Sequence, residues 1–164
     1  MKKTMFIIVV FAVFLISVSA HTSKVIDSSE GFIAPFFSIE RNDTSVSLDK
    51  LKGKYVLLTF WASNDANSRI KCQEYTSFAR DLNSKNQICQ LSINFDRSEG
   101  LFNEIVKLDN LDAETQFYAH GDKALQLIKE YQLEKGYHTF LIDQQGKIVK
   151  KNPSITLLKK FFNN

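Results

Sequence analysis

Cysteine, proline and glycine are all scarce in this sequence. Its 164 residues include 2 Cys, 2 Pro and 6 Gly, which excludes a disulfide-stapled mini-protein, collagen and low-complexity sequence. Hydrophobic residues make up 44% of the chain and charged residues 24%. This balance excludes a disordered chain and is typical of a folded domain with an apolar core.

A basic excess is also missing once the N-terminus is set aside. Two lysines precede an apolar run, Met5–Ile16, that ends in Val-Ser-Ala at positions 18–20, the pattern of a secretory signal peptide cleaved before His21. The run is short for a bilayer core of about 30 Å. We therefore expect residues 1–20 to be a signal peptide, with no stable membrane anchor after cleavage and a periplasmic or secreted protein as the product.

The exported chain that remains would carry 19 basic and 18 acidic side chains, so it lacks the basic footprint of a nucleic-acid-binding protein. No repeat or long linker divides it. We expect a loose N-terminal extension at residues 21–32 and one domain at residues 33–164. The three histidines share no metal-ligand spacing and no Cys-x-x-Cys pair occurs, so neither a metal nor another cofactor is expected.

The first half of the domain has the pattern of a βαβ unit. The apolar run Tyr55–Trp61 predicts a central strand that is buried on both faces. Apolar residues at intervals of three and four then predict a helix over residues 65–84, with Asp65 or Asn64 as its N-cap. Alternation over residues 89–95 predicts a second strand, which a right-handed crossover would make parallel to the first.

The second half predicts two more helices, a short strand, a hairpin and a final helix. The hairpin joins strands at residues 139–142 and 147–150, and alternation of charged and apolar residues at 147–151 suits an edge strand. Ser154 would cap the final helix. The remaining segments are a helix marked by Leu101, Phe102, Ile105 and Val106, a strand at 115–119, and a helix marked by Ala124, Leu125, Ile128 and Tyr131.

This order of elements, together with five short motifs, resembles the thioredoxin-like superfamily. The motifs are Ala34-Pro35-Phe36-Phe37-Ser38, Val46-Ser47-Leu48, Leu51-Lys52-Gly53-Lys54, Phe60-Trp61-Ala62-Ser63 and Phe140-Leu141-Ile142-Asp143 followed by Gly146-Lys147-Ile148-Val149. The pattern looks closest to the secreted thiol-disulfide oxidoreductases of the bacterial cytochrome-maturation type, near the peroxiredoxins. It implies an α/β thioredoxin-like fold with a central mixed β-sheet, βαβ then ββα, and helices on both faces.

The resemblance also implies that the redox site is degenerate. Redox-active relatives carry Cys-x-x-Cys at the start of the first long helix, where the helix dipole lowers the pKa of the first thiol. Here Asp65 stands at the position of the attacking cysteine and Ser68 at that of the resolving cysteine, and neither can exchange disulfides. Tyr137 stands where relatives carry a cis-proline. The peroxiredoxin pattern Pro-x-x-x-Thr-x-x-Cys is absent as well.

The two cysteines offer at most a weak catalytic candidate. Cys72 lies one helical turn beyond Ser68, but it shares the apolar stripe of Tyr75, which favours a core thiol with a raised pKa. Cys89 belongs to the apolar set of its strand. Along the βαβ unit the two cysteines would be offset by roughly 11 Å, beyond the Cα–Cα limit of about 7 Å, so no disulfide between them is expected.

Two functions remain open. The first is a non-catalytic domain that binds another exported protein without a covalent link, and the second is a thiol-disulfide oxidoreductase or antioxidant protein acting through Cys72. A Ser-His-Asp set can be written from Ser68, His138 and Asp65, but helix capping explains the Asp and Ser better. We therefore lean toward a protein that is not an enzyme. The expected partner groove has Asn64, Asp65, Asn67 and Ser68 as its floor and Trp61, Tyr137 and His138 as its flanks. The alternative is that this groove is functionally silent and the domain interacts through another surface.

Overall fold

A computed structural model describes residues 28–41, 44–83 and 88–162 of the chain. The expected signal peptide at residues 1–20 lies outside these ranges, as does most of the expected extension at residues 21–32. In the described part of the chain, no helix has the length and apolar character needed to cross a membrane.

Strands and helices alternate along the described residues. The elements are β1 (Ser38–Arg41), β2 (Thr44–Ser47), β3 (Tyr55–Trp61), α1 (Ala66–Asn83), β4 (Ile88–Asn94), α2 (Glu99–Leu108), β5 (Gln116–Tyr118), α3 (Gly121–Glu130), β6 (Thr139–Ile142), β7 (Ile148–Lys151) and α4 (Ile155–Phe162), with short 3-10 helices at Leu48–Leu51 and Ala113–Thr115.

A five-stranded mixed sheet forms the centre of the fold, in the order β5-β4-β3-β6-β7. β3, β4 and β5 are parallel, whereas β6 and β7 run antiparallel to their neighbours. The predictions of a βαβ unit, a hairpin and an edge strand are therefore confirmed. β3 lies in the middle because its side chains are apolar on both faces, and six of its seven residues are buried.

Helices cover both faces of this sheet, as the α/β prediction requires. Leu57 and Leu141 pack on one face against residues of α1 and α4, including Phe78 and Leu158. The opposite face belongs to α3 and the β1–β2 hairpin, whose buried residues pack against Phe60. Each large side chain buried in this way stabilises the fold by about 1.5–3 kcal/mol. The sheet thereby holds the loops at the carboxyl end of β3 in fixed positions.

Two predicted apolar stripes are partly wrong. In α3, Leu125 is 65% exposed, whereas Leu127 is completely buried. The helix packs through Leu127 and Tyr131, which are four residues apart on one face, and Leu125 points away from that face. The apolar residues of α4, namely Leu157, Leu158, Phe161 and Phe162, predict one buried stripe. Leu158 is buried, but Leu157 and Phe161 remain 38% and 40% exposed, so the buried stripe is narrower than this pattern predicts.

The start of the described chain is not loose. The backbone N–H of Gly31 donates to the carbonyl of Ile148 at 2.8 Å, and the N–H of Ile148 donates to Phe32 at 2.8 Å. Glu30 forms an ion pair with Lys150 at 3.0 Å. The expectation of a loose extension is therefore wrong for residues 28–32, because β7 would otherwise present unpaired backbone groups that this segment satisfies.

Candidate functional site

A cavity of about 520 Å³ opens where α1 begins. Three pieces of chain form its walls: the first turn of α1, the loop that precedes β6, and the turn that leads into α4. It brings together five residues of the expected groove, namely Asp65, Asn67, Ser68, Tyr137 and His138. The carboxyl end of β3 and the loop before β6 meet here because the two strands are neighbours in the sheet.

The side chains of Asp65 and Ser68 form hydrogen bonds at the start of α1. The carboxylate of Asp65 accepts a hydrogen bond from the N–H of Ser68 at 2.8 Å, which confirms its prediction as a cap of α1. The Ser68 hydroxyl donates to the carbonyl of Asp65 at 3.1 Å and accepts from the N–H of Ala62 at 3.2 Å. This hydroxyl is thus held within the turn rather than presented to an imidazole as a nucleophile would be.

A buried carboxylate that the sequence reading missed supports the same turn. Asp96 follows β4, and its Oδ1 accepts from both the N–H and the hydroxyl of Ser63, at 2.7 and 2.8 Å. Its Oδ2 accepts from the side-chain amide of Asn94 at 3.0 Å. Because Ser63 lies just after β3, these bonds fix the loop that leads into α1. The sequence signal for Asp96 was its position directly after a predicted strand, two residues beyond Asn94.

Tyr137 lies over the cavity with its ring half-buried. The ring stacks on Phe95 with centroids 5.6 Å apart and planes 10° apart. Burial raises the pKa of the Tyr137 hydroxyl, and the carboxylates of Asp65 and Asp96 raise it further. The described residues contain no cis peptide bond, so the Gly136–Tyr137 peptide is trans. This agrees with the high cost of a cis bond before a residue other than proline.

His138 is oriented by Asn152, which sequence reasoning missed. The Asn152 side-chain oxygen accepts from the N–H of Thr139 at 2.9 Å, so its amide nitrogen is the atom 3.0 Å from His138 Nδ1. That nitrogen can only donate, and Nδ1 therefore accepts while Nε2 carries the proton. Burial lowers the pKa of His138, and the positive charge of Lys151 lowers it further. The neutral ring offers Nε2–H as a donor.

Two residues of the expected groove lie elsewhere. Trp61 is 0% exposed and packs against Phe102 of α2 at a centroid distance of 6.3 Å, so its prediction as a flank of the groove is wrong. It shares one face of β3 with Leu57, and α2 covers the end of that face. Asn64 is exposed but does not line the cavity.

Neither cysteine lines this cavity. Cys72 is completely buried beside Trp61, and burial raises the pKa of its thiol to about 12. Cys89 is half-buried on β4, and burial raises its pKa too. Both are free thiols, as expected from their offset in the βαβ unit.

Hydrogen bonding and stacking are the chemistry that the cavity can offer. Lys71 and Lys135 add positive charge at its rim, and Lys71 is paired with Glu74 at 2.6 Å. Across residues 28–41, 44–83 and 88–162, no group of three or more His, Cys, Asp or Glu side chains is arranged to hold a metal ion.

Comparison with known proteins gives a family and several similar structures. A model of a thioredoxin-like family matches residues 53–148. A thioredoxin-like protein from Parabacteroides distasonis is 32% identical, with 84% of this chain and 96% of that chain covered and a TM-score of 0.67. A thiol:disulfide interchange protein from a Bacteroides species is 27% identical, with 84% and 93% covered and a TM-score of 0.72. No curated protein matches this chain.

A third similar structure is the thioredoxin domain of a thiol-disulfide oxidoreductase from Bacteroides vulgatus. It is 26% identical, the match covers 81% of this chain and 97% of that domain, and the TM-score is 0.70. The matches thus cover nearly the whole length of each of the three structures and more than four-fifths of this chain.

Proposed function

Because this chain belongs to the thioredoxin-like family, we propose that it is an exported member whose redox site is degenerate and which binds another protein non-covalently. The cavity at the start of α1 is the proposed binding site. Its partner would be a second exported protein, gripped through hydrogen bonds and aromatic contact rather than through a mixed disulfide.

One observation carries the proposal: the cavity is lined by Asp65 and Ser68 and by no cysteine. Thiol-disulfide exchange needs a thiolate that attacks sulfur and a second thiol that resolves the mixed disulfide. Asp65 and Ser68 supply neither. One carboxylate oxygen of Asp65 and the hydroxyl of Ser68 form hydrogen bonds within the turn that starts α1.

An oxidoreductase acting through Cys72 has little support. Its thiol is completely buried, so a substrate disulfide could reach the sulfur only if α1 moved away from the sheet. With a pKa of about 12, roughly one thiol in 10⁵ would be ionised at neutral pH. Both features are typical of a structural cysteine.

The remaining side chains suit recognition of a polypeptide. Tyr137 presents an amphipathic ring that is already held by its stacking on Phe95, so binding would cost little of its side-chain entropy. His138 offers an oriented N–H donor, and Asn67 offers an amide that can donate and accept. An apolar contact with polar groups around it is the usual composition of a protein interface.

Disulfide reduction tests the loss of redox chemistry. The purified protein is expected to leave insulin disulfides intact and not to be reduced by a thioredoxin-type reductase, because no exchangeable thiol faces the cavity. Turnover above a no-protein control that disappears in Cys72→Ser would show that the protein is an oxidoreductase. Cys89→Ser is the matched control, since it removes the other free thiol.

Partner capture tests the binding site. We expect Tyr137→Ala to lose proteins that the wild type retains from the exported fraction of its native host. Tyr118→Ala is the matched control, because Tyr118 is another half-exposed, stacked tyrosine but lies outside the cavity. If both variants retain the same partners as the wild type, the cavity is not the binding site.

A further inference from the structure

A second hollow lies away from the cavity, between β7 and α4. This groove of about 350 Å³ is lined by Leu141, Val149, Leu157 and Phe161, with Lys150 and Lys160 beside them. Leu157 and Phe161 are 38% and 40% exposed. Two large apolar side chains on the same groove are thus partly open to solvent. None of these residues lines the proposed binding site. We call this surface the β7–α4 face.

Positive charge is concentrated around the β7–α4 face. Residues 147–162, which include both elements, contain five lysines and no acidic side chain. Of these lysines, Lys150 and Lys160 line the groove, whereas Lys151 lies over Phe140 on the opposite face of the sheet. The rest of the chain after residue 20 contains more acidic than basic side chains, so the exported protein would be electrically asymmetric. Lys160 on α4 places a positive charge on one wall of the groove, and Lys150 lies on the β7 wall, where the carboxylate of Glu30 offsets its charge. Lys150 is paired with Glu30 at 3.0 Å.

We infer that the β7–α4 face rests reversibly on an anionic lipid bilayer surface. Exposed leucine and phenylalanine side chains would enter the interface, while lysines on flexible stems keep their ammonium groups among the lipid headgroups. Each lysine near such a surface strengthens binding about fivefold. Binding of this kind is weak and salt-dependent.

The composition of the face favours lipid over a protein partner. Lysine is depleted in protein–protein interfaces, whose strongest contacts come from tryptophan, tyrosine and arginine. The lining of the groove contains two lysines and none of those three residue types. A lysine ammonium is a point charge and lacks the planar, bidentate hydrogen-bonding geometry of an arginine guanidinium. It therefore suits the mobile phosphate groups of lipids better than a fixed set of acceptors on a protein.

The path of the chain agrees with this orientation. Glu30 and Gly31 are bound to β7, so the chain enters the fold beside the β7–α4 face. This step rests on the proposed export: before cleavage, the signal segment would end at residue 20, eight residues before Ser28. Eight extended residues span at most about 29 Å. This upper limit keeps Ser28 within about 29 Å of the membrane before cleavage.

Vesicle flotation tests the inference with the chain from His21 onward, which contains all described residues. We expect it to float with vesicles of phosphatidylcholine containing about one-third phosphatidylglycerol, and to stay behind with pure phosphatidylcholine. Lys159→Glu with Lys160→Glu should weaken partitioning at least tenfold, and Leu157→Ser should weaken it measurably. Added salt should reduce the binding of the wild type.

The control pair is Lys107→Glu with Lys129→Glu. It changes the net charge equally, and all four lysines lie in the last turn of a helix. The inference is wrong if the wild type does not bind anionic vesicles. It is also wrong if the control pair weakens binding as much as Lys159→Glu with Lys160→Glu. Sedimentation showing a dimer that Leu157→Ser dissociates, without vesicle binding, would make the face a protein contact instead. Disulfide reduction and partner capture do not involve this face, so their outcomes are independent.

Discussion

At the scale of single residues, Asn152 organises the rim of the cavity. Its φ of 50° lies in the left-handed region, which asparagine tolerates better than most residues. Its N–H donates to the carbonyl of Thr139 at 2.7 Å, and its side-chain oxygen accepts from the N–H of Thr139. The remaining amide group holds His138. One side chain thus joins the turn before α4 to the start of β6 and sets the tautomer of the histidine.

Asn152→Asp separates these roles. The variant keeps the acceptor for Thr139 and tolerates the left-handed backbone, but it replaces the amide donor with a carboxylate. We expect the pKa of His138 to rise, since the carboxylate would accept from a proton on Nδ1. NMR titration of the imidazole in wild type and variant measures this, and an unchanged or lower pKa in the variant would contradict the contact between residue 152 and the His138 ring.

The lowered pKa of His138 also predicts the direction of a pH effect on stability. A histidine that is harder to protonate when folded contributes stability above its unfolded pKa of about 6.5, and this contribution is lost as pH falls through the folded pKa. Urea unfolding of wild type and His138→Gln between pH 7.5 and 5 should show a smaller decline for the variant. An equal decline would mean that His138 is not responsible.

Single residues also show what could be predicted from the sequence. Asp65 was predicted as a cap because its partner, the N–H of Ser68, lies three residues away. Asn152 and Asp96 were missed because their partners are brought to them by the fold: Asp96 binds Ser63, 33 residues earlier. Trp61 was misplaced because an apolar run buried on both faces does not show which of its ends a helix covers.

At the scale of elements, one ion pair joins the start of α1 to the end of α2. Arg69 donates two hydrogen bonds of 2.6 Å to the carboxylate of Asp109. Each charge is unfavourable beside its own helix, since a cation lies near the N-terminus of α1 and an anion at the C-terminus of α2. The pair offsets both effects, and Arg69 lowers the pKa of Asp109.

Arg69→Met should therefore destabilise the fold by about 2–3 kcal/mol, because the Asp109 side chain is only 6% exposed and would lose its partner. Glu74→Ala is the control: it breaks the exposed Lys71–Glu74 pair and should cost less than about 1 kcal/mol. Urea unfolding of both variants measures the difference. Equal costs would show that the Arg69–Asp109 pair contributes no more than a surface contact.

Most elements were predicted because their patterns are local. β3 has the predicted bounds, and α1 differs from its prediction by one residue at each end. The buried side of α3 was predicted less well, because Leu125, Leu127 and Ile128 are all apolar. Leu127 is the residue that packs into the core cluster of Phe60 and Phe140. Periodicity predicts that a helix exists, whereas the choice between adjacent apolar residues belongs to tertiary structure.

At the scale of the whole molecule, the chain before β1 completes the sheet. Residues 31–34 lie along the outer edge of β7, where Ile33 pairs with Lys147 and the N–H of Ala34 donates to Gly146. Pairing of this kind leaves the first part of β7 unavailable to the edge strand of another molecule. Sequence alternation predicted an edge strand but contained no signal for the segment that covers it.

The pairing of residues 30–34 with β7 limits where a signal peptidase could cut the precursor. The predicted cleavage before His21 falls ahead of Ser28, the first described residue, and ahead of Glu30, which is bound to β7. A cut at that point would therefore leave every described contact intact. A peptidase needs an extended, accessible segment, so a cut within residues 30–34 would require the edge of the sheet to open first.

We accordingly expect the protein recovered from its native host to begin at or near His21, with the Met5–Ile16 run removed. Intact-mass measurement of the exported fraction decides this. Ala20→Arg should accumulate as uncleaved precursor, because signal peptidases need a small residue at that position. Lys24→Arg is the control, because it introduces the same residue type after the predicted cleavage site. We expect this variant to be processed normally. A mature protein that retains Met1 would contradict the proposal of export through a cleaved signal peptide.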